Sequence, residues 1–345
     1  MTNAAIEPSP RRSRSSSAGF AVTGLLLVLV VAGLVLFGDV DQLGTALASF
    51  QWWLVPPILG LILAGYLVRF GRWHLYLGAL AVPPLPVAMS ALVFLSGFTM
   101  TVTPGKVGEV IKCVALRRLT GVPVSRTSAI VLAERLTDIV AMLALAAIGL
   151  VQFAYGRSLL GVICLGVVAA ILLLQRPHRM EQILRVAEKW PVIGRFTGQA
   201  TMFVAASETL LRPRVLVVGS ALGIVSWAAE CLALYAVLVG LGMPASWHLL
   251  LVATFVMATS TLLGAVSMLP GGLGVADASV AGMLILLVGD DGMTRGMAAA
   301  AALLIRFATL WFGTLLGFVA LGVLHVIQQQ HGDDLVTGWS DAEHA

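Results

Sequence analysis

Residues 246–289 read SWHLLLVATFVMATSTLLGAVSMLPGGLGVADASVAGMLILLVG, and Asp277 is the one carboxylate in them. The apolar arms on either side of Pro270-Gly271 approach the ~20 residues needed to cross hydrocarbon. Proline lacks a backbone donor and stops a helix, so the chain must turn or kink there. Backbone broken at membrane depth is tolerated only inside protein or beside a water-filled cavity. The stretch therefore reads as a re-entrant helical hairpin whose tip lines a polar interior. Residues 86–118 repeat the pattern with a break at Pro104-Gly105.

Around these hairpins the chain is 59% hydrophobic and 11% charged, with a mean hydropathy of +0.97. Ordinary soluble domains carry about 25% charged residues, so water is not the main solvent of this one. Full spans are expected at 19–37, 52–71, 127–151, 158–175, 215–241 and 297–325. The fold class is an all-α polytopic membrane protein: about six full spans, two broken hairpins and no soluble catalytic domain. A single membrane domain, 19–325, is expected between a disordered cytoplasmic tail at 1–18 and a polar one at 326–345. The run 19–37 is longer than a signal-peptide core of 7–15 residues, which favours an uncleaved first helix.

The net charge of +4 does not call for nucleic acid, because in a membrane chain position outweighs total. With the N-terminus, 69–74, 112–126 and 176–214 inside, Arg157 and Arg295 are the basic side chains left outside. This obeys the positive-inside rule and puts both termini in the cytoplasm of an inner, or plasma, membrane. Within 176–214, basic residues alternate with Ile183, Leu184, Val186 and Trp190, as in a helix lying on an anionic leaflet or a solvated linker.

Pro104-Gly105-Lys106-Val107-Gly108-Glu109 and Pro270-Gly271-Gly272-Leu273-Gly274 share a Pro-Gly-x-x-Gly frame. Their surroundings match in order: Pro83 with Pro244, Pro104 with Pro270 and Arg135 with Arg306, at offsets of 161, 166 and 171 residues. Two halves follow, about 52–151 and 215–325, and the extra span at 158–175 makes the second enter from the opposite face. Inverted repeats with broken helices are the architecture of alternating-access transporters, which bind substrate near the midplane.

Charged residues inside the spans are the candidates for chemistry, because each costs about 2.5–3.5 kcal/mol at the centre of an inserted helix. Glu134, Arg135 and Asp138 lie within 127–151, Arg306 within the last span, Lys106 and Glu109 in the first break and Asp277 beyond the second. Cations entering from both faces, with helix N-termini adding donors, suit an anionic head group such as a lipid phosphate. The bland alternatives are an intrahelical Arg135–Asp138 pair, a snorkelling or carbonyl-capping Arg306, and Glu230 and Asp277 as interhelical bonds. Cys113, Cys164 and Cys231 read as packing residues. The histidines lack metal-ligand spacing, and no nucleophile elbow, P-loop or dinucleotide fingerprint occurs; no metal, catalytic residue or cofactor is expected.

Thr103 to Glu109, Ala133-Glu134-Arg135-Leu136-Thr137-Asp138, Leu269 to Gly274, and Arg306 with Trp311 together resemble the flippase-like transmembrane domain of lysylphosphatidylglycerol synthases. The resemblance covers nearly the whole chain and implies lipid movement between leaflets. It also implies that a separate enzyme makes the lipid, since the chain ends at Ala345 without room for a synthase domain. Asp277 departs from the pattern, which usually has Glu, and shortens that acid's reach by one methylene. The leading expectation is a translocase for a phospholipid or other lipid-linked phosphate. Lys106, Arg135 and Arg306 would contact phosphate, with Glu109, Glu134, Asp138 and Asp277 as counter-charges or proton sites. An enzyme or a scaffold in lipid, hopanoid or polyprenyl-phosphate-sugar synthesis is the alternative. Membrane lipids and that lipid-synthesis enzyme are the expected partners.

Overall fold

A computed structural model describes residues 32–33, 36–101, 109–150, 161, 165 and 197–342, the side chains only as far as residue 327. Most of the span expected at 19–37 lies outside these residues. So do the span at 158–175 apart from positions 161 and 165, the surface helix read around Trp190, and the first break with Pro104, Gly105, Lys106 and Gly108.

Every regular element described is helical. The first half holds α1 (Val40–Ser49), α2 (Val55–Ala79), α3 (Val87–Ser96) with a 3-10 turn Gly97–Met100, α4 (Ile111–Thr120) and α5 (Val124–Leu150). After α6 (Thr197–Leu210), the second half holds α7 (Pro213–Gly240), α8 (Trp247–Val266), α9 (Val275–Val288), α10 (Arg295–Arg306) and α11 (Phe312–Ala342). A π-helical turn, Phe307–Trp311, joins the last two.

Five helical segments are long and apolar enough to cross a membrane: Trp52–Ala79, Pro213–Gly240, Trp247–Val266, Pro270–Val288 and Arg295–Ile327. The protein is a multi-pass helical membrane protein. Both arms of the second broken stretch are among the five, a length that a re-entrant loop does not require. The first stretch is shorter, with Val87–Met100 as its apolar arm.

Two expectations need correction. The span read as 52–71 is one helix to Ala79, so Arg69 and Arg72 sit inside α2 and not in a loop; Arg72 is 2% exposed. Lys112, also assigned to the cytoplasm, is 3% exposed. Both cations have buried carboxylate partners, and pairing removes the penalty that made a loop the cheaper assignment. Beyond these two corrections, α11 runs on to Ala342 through most of the stretch expected as a polar tail, since extending an existing helix avoids the cost of nucleation.

The helices α2 and α7 form the spine and run antiparallel. Gln51 N–H donates to Gly240 carbonyl at one end, and Ser226 hydroxyl to Gly65 carbonyl near the middle. Near the other end, a Cβ on Gly219 would stand 2.5 Å from the Tyr76 hydroxyl. Glycine is needed where these helices come this close. Around the spine, α8 packs on α5, and α3 with its 3-10 turn packs on α11. Exchanging equivalent elements of the halves maps one contact onto the other, as a two-fold relation demands.

Candidate functional site

Between the halves lies a cavity of about 350 Å³ reached by side chains from α2, α5, α7, α8, α9, α10 and both broken stretches. Five cations line it, Arg69, Arg72, Lys112, Arg135 and Arg306, and so do five acids, Glu109, Glu134, Asp138, Glu230 and Asp277. Each of these cations has at least one of the acids as an ion-pair partner, in keeping with the cost of an unpaired charge at this depth.

In the first half, Arg72 donates from Nη2 to Asp138 Oδ1 at 2.7 Å and from Nη1 to Thr137 Oγ1 at 3.2 Å. Tyr76 hydroxyl meets the same threonine at 3.0 Å. Lys112 Nζ donates to Glu134 and lies 5.1 Å from the Trp73 ring centroid. These two pairs are sealed, with every charged side chain at 5% exposure or less. Arg135 differs. Its Nη2 is 3.2 Å from Glu109 and 3.3 Å from Asp138, one helical turn on, and its side chain is 28% exposed. The intrahelical pair with Asp138 therefore exists, but Arg72 holds that carboxylate more closely.

The second half repeats the acid–arginine pair beyond its own break. Gly271, Gly272 and Gly274 all have positive φ, at 61°, 66° and 84°, the left-handed region that favours glycine. This backbone lets Gly274 N–H donate to Asp277 Oδ2 at 2.9 Å, which closes the first turn of α9. The other oxygen, Oδ1, accepts from Arg306 Nε at 2.5 Å, and Arg306 Nη1 reaches Gly271 carbonyl at 3.1 Å. Asp277 thus reaches both partners despite its shorter side chain. The π turn begins right after Arg306, and such turns frequently mark functional positions.

Sequence reading brought Glu109, Glu134, Arg135, Asp138, Asp277 and Arg306 to this cavity and missed the cations on α2 and α4. Arg69 pairs with Glu230 across the spine. The two residues are 161 positions apart, the offset between Pro83 and Pro244. Opposite charges at equivalent positions of a repeat were the available signal.

The chain matches the family described as the lysylphosphatidylglycerol synthase TM region over residues 21–317 and belongs to it. It is 25% identical over 313 residues to a UPF0104 membrane protein of Methanothermobacter thermautotrophicus, with 85% of this chain and 90% of the relative covered. A shorter match, 30% identical over 123 residues, is to a protein of the same description and organism and covers 36% of this chain and 33% of the relative.

Proposed function

We propose that this protein is a lipid translocase that passes a phosphate-bearing head group through the cavity while the acyl tails stay in the bilayer. The observation that carries this reading is the cavity itself: paired charges and three partly exposed arginines between the halves of an inverted repeat. Broken-helix transporters use such a place for substrate. In this reading Arg135, with Lys106 in the preceding break, receives phosphate from the cytoplasmic side. Arg306 receives it from the outer side. Glu109 and Asp277 hold Arg135 and Arg306 in place between turnovers, and a phosphate competes with them for the guanidinium groups, while Glu134 and Asp138 hold Lys112 and Arg72.

The charge distribution supports the orientation. Arg126 donates to the Leu80 carbonyl, which ties the end of α2 to the start of α5, and Arg117, Arg118, Arg212 and Arg214 lie at this end. The opposite end holds Asp39, Asp41, Asp290 and Asp291, with the exposed rings of Trp52, Trp53 and Trp247. The basic end is the cytoplasmic one by the positive-inside rule, and the tryptophans form the outer interfacial belt.

The test is leaflet exchange of labelled phospholipids in proteoliposomes, with wild type compared with Arg135→Ala. Exchange that needs the protein and is lost in a folded Arg135→Ala variant is the expected result. Exchange at the wild-type rate in that variant would overturn the assignment.

A further inference from the structure

Arg69 has a setting that neither Pro-Gly frame accounts for. Its guanidinium carbon lies 4.7 Å from the Trp227 ring centroid and 5.9 Å from that of Tyr66. Nε donates to Ser226 Oγ at 2.8 Å and Nη2 to Glu230. Ser226 in turn donates to Gly65 carbonyl at 3.2 Å, and Tyr66 hydroxyl to Thr309 carbonyl, in the π turn, at 2.8 Å. Four side chains from the two spine helices, anchored to a third element, hold one planar cation.

Two donors in this arrangement are unused. Among the described residues Nη1 of Arg69 has no hydrogen-bond partner, and the side chain keeps 15% exposure. The indole N–H of Trp227, a residue 4% exposed, has none either. Both residues line the cavity. Arg72, one turn further along α2, is the internal contrast: both its terminal nitrogens are bonded, only its Nε lacks a partner, and its side chain is 3% exposed. The donor Arg72 leaves over is a buried Nε, whereas Arg69 leaves over a terminal nitrogen on a partly exposed side chain.

The place of the group in the fold is equally specific. Gly65 and Ser226, like Arg69 and Glu230, are 161 residues apart, so the spine helices touch at equivalent positions of the halves. Such contacts mark the two-fold axis. A site there belongs to neither face, whereas Arg135 and Arg306 each belong to one half.

We propose that Arg69 and Trp227 form a phosphate-binding subsite on the axis of the repeat, with Glu230 occupying Arg69 until a phosphate oxyanion displaces it. This rests on the translocase reading and adds a station midway between Arg135 and Arg306. Arg69 and the indole N–H donate to the oxyanion, and the rings of Tyr66 and Trp227 hold the guanidinium in place.

The test uses purified full-length protein in lipid nanodiscs, titrated separately with inorganic phosphate and with a short-chain phosphatidylglycerol bearing a fluorophore on its tail. Arg69→Gln is expected to weaken binding about tenfold, the loss of one charge-assisted contact, and Trp227→Phe to weaken it severalfold. Glu230→Gln is expected to tighten binding, because it removes the competitor. A purely structural clip predicts the opposite for Glu230→Gln, so weaker binding in both Arg69→Gln and Glu230→Gln overturns the proposal. Opposite signs with both probes assign the site to phosphate from any source, and opposite signs with the lipid probe alone assign it to the head group. Loss of leaflet exchange in Arg135→Ala with unchanged binding in Arg69→Gln would leave the translocase standing and remove the subsite. Phosphate binding that follows the expected signs, without any leaflet exchange by wild type, would do the reverse.

Discussion

The arm after the second break, Val275–Val288, runs for 14 residues with Asp277 as its one charge, whereas the arm after the first, Ile111–Thr120, has 10 residues and carries Lys112, Arg117 and Arg118. The second break is held by a cap at its own glycines and by one arginine: Gly274 bonds Asp277, and Asp277 and the Gly271 carbonyl hold Arg306. The arm after the first break is anchored by a buried lysine, since Lys112 reaches Glu134 on α5 of the same half, beneath aromatic rings. A break made of glycines and a cap is fixed by local geometry. An arm anchored by a buried ion pair is fixed only when another helix supplies the counter-charge. The first hairpin should therefore respond most to charge changes and the second most to changes in volume.

The largest expected effect is in the first half. Glu134→Ala leaves Lys112 buried and unpaired, and Asp138→Ala takes from Arg72 its carboxylate; each should destabilise the protein by about 3–5 kcal/mol. Thermal unfolding in detergent measures this, and an unchanged midpoint in both variants would erase the contrast between the hairpins.

Next comes Gly264→Ala in the second hairpin. The new Cβ would stand 2.9 Å from the Ala276 methyl and 3.4 Å from Gly272 Cα, neither of which can swing aside. A loss of about 1–3 kcal/mol is expected from such overpacking, read by the same unfolding experiment.

Asp277→Ala removes a cap and frees Arg306, which is 17% exposed. Its stability cost should be near that of a lost cap, about 0.5–2 kcal/mol, because the arginine can turn toward the cavity. Leaflet exchange should nevertheless fall steeply if Asp277 positions Arg306. A loss as large as that of Asp138→Ala would show that the second pair is as structural as the first.

The smallest effect is expected from Gly97→Ala, whose added methyl would meet Lys112 Cδ at 3.1 Å. Gly97 takes in the first hairpin nearly the place that Gly264 takes in the second. A flexible lysine stem can yield by tenths of an ångström, so the loss should stay below about 1 kcal/mol. A larger loss than in Gly264→Ala would reverse the ranking of the two hairpins by volume.

Much of the architecture was legible in the residues alone. Apolar length gave the helical membrane class, and Pro270-Gly271 marked the turn that the structure places at Pro270–Gly272. Helix ends were less legible. Arg69 and Arg72 look like the flank of a span when hydropathy is summed along the chain, and only Asp138 and Glu230 on other helices make their burial affordable.

Sequence by itself determined which residues must leave water and where the backbone must break, because hydrophobicity, proline and glycine act through the chain's local covalent structure. It also supplied the charges at cavity depth on α5, α9 and α10. Tertiary structure alone decided which acid meets which base, and so which arginines are sealed and which keep donors turned to the cavity. That division has a physical cause: the cost of burying a charge is set by partners brought in from other helices, and no window along one helix contains them.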